Sequence, residues 1–208
     1  MYIMCLSKGT SAVQSALNEG ILPNKTLGFI PTAGEPYENP YFVEESRQRL
    51  TKRGMTLVDL DITSESAAEL SHKLDTVDGI YVAGGNTFYL LYQLLQKNLA
   101  SVITQKVKTG LPYFGESAGA VLLAKSIEPA KPIDDPDDAP NLKTYEGLSL
   151  IDFFPLPHVG KEKYKLLFDK LIEANKDTIE IVQYTDEQAI LTRDGRTYKI
   201  LPSEVEAL

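Results

Sequence analysis

Leu111-Pro112-Tyr113-Phe114-Gly115-Glu116-Ser117-Ala118-Gly119-Ala120-Val121-Leu122-Leu123-Ala124 is the stretch on which the fold of this chain turns. An apolar, strand-like run (Leu111, Tyr113, Phe114) passes through a Gly-x-Ser-x-Gly pentapeptide into a helix-like run from Ala120 to Ala124. A nucleophilic serine needs a sharp strand-to-helix turn, which lifts its hydroxyl clear with a helix N-terminus beneath it. The flanking glycines leave room for that turn. Three fixed positions match by composition in roughly one chain in fifteen of this length. The strand–turn–helix setting therefore carries the reading, and it predicts a nucleophile elbow in an α/β fold.

Working outward, apolar strand-like runs occupy Tyr2–Leu6, Leu27–Pro31, Thr56–Leu60, Gly79–Ala83 and Pro112–Gly115. Between them, residues 41–53 (Phe42, Val43, Leu50), 65–74 (Ala67, Leu70, Leu74) and 87–96 (Leu90, Leu91, Leu94, Leu95) have helical spacing. Strands alternating with helices predict a mainly parallel sheet with helices on both faces. Residues 128–140, with four prolines and four aspartates, read as a loop. Residues 161–174 return to helix, with Tyr164, Leu167, Phe168, Leu171 and Ile172 as its apolar stripe. Ile179–Gln183, Ala189–Thr192 and Tyr198–Leu201 read as closing strands, the last two joined by an Asp194-Gly195 hairpin turn. With no repeat or linker in view, residues 1–208 are expected to form a single α/β domain.

Composition narrows the function classes. Net charge is −8 and Lys and Arg are scattered, which argues against a nucleic-acid partner. No apolar run approaches the length of a membrane span, and Met1–Ser7 reads as a first strand rather than a signal peptide. Cys5 is the one cysteine, so no intrachain disulfide can form and a cytoplasmic setting is expected.

Ligands in open α/β sheets bind beyond the carboxyl ends of the strands. Ala83-Gly84-Gly85-Asn86-Thr87, Gly115 to Gly119 and Pro155-Leu156-Pro157-His158 all fall there. Ser117 needs a base, and the chain has two histidines. His72 lies in a polar helix and reads as a solvated surface residue. His158, on a proline-flanked turn after an apolar run, is the expected base. An acidic orienter would fix its tautomer, with Asp186 and the loop residues Asp134 and Asp135 as candidates. The amides of Ala118 and of Gly84 or Gly85 are expected to form an oxyanion hole. Cys5, in the first strand, lacks an electropositive neighbour and is not expected to be a nucleophile. The adjacent pair Asp137 and Asp138 lacks the ligand spacing of a calcium loop, so no metal is expected.

Taken together, Gly84-Gly85-Asn86-Thr87, Gly115 to Ala120, Phe154 to His158 and Asp186 to Ile190 resemble the dipeptidase E (aspartyl dipeptidase) family of serine peptidases, related to cyanophycinases. The likeness covers nearly the whole chain, with the motifs in the family's order. It implies a fold like the class I glutamine amidotransferases (flavodoxin-like), with Ser117 where those enzymes carry cysteine. It also implies that Ser117 is the nucleophile and His158 the base. The family's carboxylate after the histidine maps onto Asp186, where relatives carry glutamate; a second family aspartate, in an Asp-x-Pro context, maps onto Asp134. Asp186 is preferred for the triad. Gly84, Asn86 and Glu116 are expected to contact substrate. The family reads an N-terminal aspartate with an arginine after the histidine, whereas this chain carries Lys161, Lys163 and Lys165 there. Lysine lacks the planar bidentate grip, so aspartyl specificity is not carried over.

The expectation is a cofactor-free serine exopeptidase acting on short peptides through a Ser-His-Asp triad and an acyl-enzyme. Two rivals stand beside it. One is an α/β-hydrolase-type esterase, whose order Ser, acid, His would be met by Asp134. The other is a non-catalytic ligand-binding relative that keeps the elbow.

Overall fold

The computed structural model describes residues 1–205. Seven strands form the main sheet in two groups. β1 (Ile3–Leu6), β2 (Thr26–Ile30), β3 (Thr56–Asp59), β4 (Gly79–Val82) and β5 (Tyr113–Glu116) run parallel, while β8 (Gln188–Thr192) and β9 (Tyr198–Pro202) extend one edge antiparallel. The order is β3-β2-β4-β5-β1-β8-β9. Alternation along the strands divides the core in two. Met4, Leu6, Phe29, Tyr81 and Phe114 pack toward α1 (Val13–Asn18) and α2 (Tyr41–Lys52). Ile3, Cys5, Ile80, Val82 and Tyr113 pack toward α3 (Ala67–Leu74), α4 (Thr87–Gln96), α5 (Leu99–Lys108), α6 (Ala118–Val121) and α7 (Lys165–Asn175). Helices thus cover both faces of a mainly parallel sheet, as the periodicity predicts.

Two helices went unread in the sequence. α5 buries Leu99, Ile103 and Val107, a stripe at spacings of four that periodicity could have found. α1 is only six residues long and buries Val13 and Ala16, too few positions to show a period. Residues 128–140 contain two short 3₁₀ turns, Glu128–Ala130 and Pro136–Asp138. The hairpin at Asp194-Gly195 forms, with Asp194 accepting from the amides of Arg196 and Thr197.

One strand assignment needs correction. The 179–183 segment does not close the main sheet. Its β7 (Ile181–Gln183) pairs in parallel with β6 (Phe154–Leu156) as a separate two-stranded sheet. The edge beside β1 is taken by β8, with Cys5 opposite Ile190. This displacement matters for the site. A parallel pair carries both chain exits to the same end, so the residues after Leu156 and after Gln183 emerge side by side.

Candidate active site

At the elbow, Ser117 adopts φ +49° and ψ −108°, outside the regions that non-glycine residues favour. The turn is held from both sides. The Ser117 amide donates to Leu6 O at 2.9 Å, and Ser117 O accepts from Ala120 and Val121. A side chain at Gly115 would put its Cβ 2.4 Å from Gly119 O, so the chain can double back this tightly only without one. β4, β5 and β1 are neighbours in the sheet, and their carboxyl ends deliver Gly84-Gly85, Ser117 and Ser7 to one place.

His158 comes two residues after β6 and Asp186 three after β7. Val159 N donates to Tyr184 O, closing the two exits against each other. Ser117 Oγ lies 2.9 Å from His158 Nε2, and His158 Nδ1 lies 2.6 Å from Asp186 Oδ1. The other Asp186 oxygen meets Lys161 Nζ at 2.5 Å. Burial works to raise the Asp186 carboxyl, but hydrogen bonds from His158, Lys161 and Ser7 hold it well below the usual carboxylate range. Asp186 is thereby kept anionic beside the imidazole. His72, by contrast, is exposed on α3.

Asp134 does not touch the imidazole through a hydrogen bond of its own. It accepts from Thr87 N at 3.0 Å and Thr87 Oγ1 at 2.5 Å, tying the acidic loop to the first residue of α4. Burial raises its carboxyl, and the Thr87 bonds pull it back. A Ser-acid-His order through Asp134 therefore lacks its second bond. Asn86 is equally engaged: Oδ1 caps α4 by accepting from Tyr89 N, while Nδ2 donates to Asp135 O and Asp138 Oδ2. Gly85 has φ +143°, and a Cβ there would fall 2.0 Å from Ala33 O. Asp135, Asp137 and Asp138 lie on the second 3₁₀ turn, with Asp135 capping Asp137 N. Among the described residues, no group of three or more His, Cys, Asp or Glu could hold a metal ion.

The three segments open on a cavity of ≈ 380 Å³. Gly84, Gly85, Glu116, Ser117, Ala118 and His158 all line it. Ile133 and Asp134 bring the proline-rich loop to one wall, and Tyr37 and Tyr41 form another. Sequence reasoning missed the arginine of this cleft: Arg49 reaches it from α2, buried at 4 % exposure and paired with Glu45 at 3.2 Å. Glu116 points to the same end. Ser46 Oγ donates to it at 2.6 Å and Tyr81 OH at 2.9 Å. Burial pushes its carboxyl up to about 7, against those bonds and the charges of Arg49 and Lys8. Ser7 was also missed; no motif marks it, and only the fold brings it to His158.

A serine elbow at the carboxyl edge of a mainly parallel sheet, with an imidazole in hydrogen-bond reach, is the architecture of a serine-type hydrolase. The chain belongs to peptidase family S51, whose profile matches residues 6–200, and it is a peptidase. It is 35% identical over 175 residues to the uncharacterized peptidase PM1590 of Pasteurella multocida, covering 84% of each chain. It is 36% identical over 103 residues to Peptidase E of Haemophilus influenzae, covering 50% of this chain and 45% of that one. A crystal structure from Listeria monocytogenes EGD-e superposes with a TM-score of 0.87 at 32% identity, covering 97% of this chain and 98% of the other.

Proposed function

We propose that this S51 peptidase is a cofactor-free exopeptidase for short peptides, in which Ser117 attacks the scissile carbonyl with His158 as general base. The observation that carries the reading is the unbroken series Ser117 Oγ, His158 Nε2, His158 Nδ1, Asp186 Oδ1, with spacings of 2.9 and 2.6 Å, opening on the cleft. Asp186 accepts from Nδ1–H, which leaves the Nε2 lone pair to receive the serine proton. The imidazolium then gives that proton to the leaving amine, and water activated by His158 releases the acyl group from Ser117. The amides of Ala118 and Gly85 are the proposed oxyanion donors. Glu116 and Gly84 would contact substrate along the cleft wall. The cavity volume sits at the low end of small-ligand sites, and the wall made by Ile133 and Asp134 would limit substrate length, which suits a dipeptide. A cytoplasmic setting belongs to the same proposal and rests on the single, buried cysteine, Cys5.

The test is hydrolysis of a dipeptide panel, with acidic and neutral N-termini, by wild type and Ser117→Ala. Turnover by wild type that is lost in the variant is the expected result. Equal turnover by both proteins would remove Ser117 from the reaction, and ester turnover without peptide turnover would favour an esterase.

A further inference from the structure

The exit of β1 touches all three proposed triad segments. Leu6 O accepts from Ser117 N at 2.9 Å and from Tyr184 OH at 3.1 Å, and Gly9 N donates to Asp186 O at 3.1 Å. Between them sits Ser7, buried at 1 % exposure. Its Oγ lies 2.8 Å from Asp186 Oδ1, 2.9 Å from His158 N and 3.0 Å from His158 Nδ1.

We propose that Ser7 is a positioning residue that fixes the tautomer and the orientation of His158 by bracing it against Asp186. The proposal rests on Ser117 and His158 acting as nucleophile and base.

A serine hydroxyl has one proton and two lone pairs. The proton goes to Asp186 Oδ1, leaving only lone pairs for His158. One accepts the backbone N–H of His158. The other faces Nδ1, as does the anionic Oδ1 of Asp186. With two acceptors before it, Nδ1 must carry the ring proton, so Nε2 is left as the acceptor for Ser117 Oγ–H. Asp186 alone would favour the same tautomer, and Ser117 meets the far ring nitrogen, Nε2. Ser7 adds a second acceptor at Nδ1 and a contact on the backbone. The backbone contact has its own reason. His158 has φ +63°, the left-handed region that costs a non-glycine residue energy, and its amide is held there by Ser7 Oγ. One hydroxyl thus fixes the backbone, the ring proton and the carboxylate together.

Two readouts test this. The first needs no activity. The chain has only two histidines, so ¹⁵N-histidine spectra, assigned against His72→Gln, report His158 alone. At a pH where the imidazole is neutral, wild type is expected to show Nδ1 protonated and Nε2 bare, and Ser7→Ala to keep that form as the major one beside a detectable Nε2-protonated share. The second is kinetic. Ser7→Ala is expected to lower kcat about 10- to 100-fold, a part of what a positioned base contributes, with KM within about twofold. In an Asp186→Asn background, where the tautomer is already wrong, the same change is expected to cost less than about threefold.

Equal costs in both backgrounds would reduce Ser7 to an ordinary structural contact and overturn the proposal. A wild-type spectrum with the proton on Nε2 would overturn it without any variant, should Ser7→Ala fail to fold. Ser117→Ala inactive with Ser7→Ala at the wild-type rate would sink the role of Ser7 alone. Full turnover by Ser117→Ala would instead sink the nucleophile assignment, while the spectra would still decide the tautomer.

Discussion

Asp186 and Asp134 approach the same histidine from different parts of the chain, and their surroundings are opposite. Asp186 leaves β7 beside the exit of β6 and meets His158, Ser7 and Lys161, all of which favour its ionised form. Asp134 arrives on the proline-rich loop, spends Oδ2 on the amide and hydroxyl of Thr87, and has its carboxyl raised by burial. One carboxylate is arranged to hold an imidazolium, the other to fasten a loop to a helix start. What separates them is the set of donors each backbone places around the carboxyl, since both are aspartates near one histidine.

Replacing each by asparagine should separate the two carboxylates most clearly. Asp186→Asn is expected to lower kcat roughly 10⁴-fold, because an amide no longer dictates the Nδ1–H tautomer. Asp134→Asn is expected to cost about 10-fold or less. Steady-state kinetics on the two variants side by side would decide it, and a reversed order would make Asp134 the orienting carboxylate. Asp134→Ala strips the start of α4 of an acceptor and should lose about 1–2 kcal/mol in urea denaturation.

Lys161 gives a finer contrast. Its ammonium holds one oxygen of the Asp186 carboxylate and helps to keep that carboxyl low. Lys161→Met should therefore bring the Asp186 carboxyl back toward the usual carboxylate range, read by a carboxyl-carbon NMR titration. An unmoved titration would show that the ion pair is screened. The smallest effect concerns acid stability. The folded-state pKa of Asp186 is depressed, so its contribution is present above the unfolded value of about 3.9 and is lost as pH falls below it. Stability curves of wild type and Asp186→Asn should converge in acid, and a constant gap down to low pH would contradict the ionised assignment.

Much of the architecture was legible because it repeats a period. The strand and helix runs around Ser117 show alternation and 3.6-residue stripes, and Ile3/Cys5 against Met4/Leu6 divide between the two cores as such patterns require. α1 was not legible because six residues hold less than two turns. The pairing of β7 with β6 was not legible either. A short apolar run has no mark that names its neighbour, and only the occupancy of the β1 edge by β8 sends it elsewhere.

An α/β chain with a serine on a strand-to-helix turn and one well-placed histidine can be read from local pattern. Those features are local: they need a glycine pattern, an apolar period and a proline-flanked turn. The folded chain puts Asp186, already preferred from the resemblance, against His158; that Ser7 stands between them and that the arginine in the cleft is Arg49 appear only in the fold. Each of these is a contact between groups far apart in the chain, 151 positions for Ser7 and His158. Such contacts are set by strand order and parallel exit rather than by local pattern, so only the folded chain expresses them.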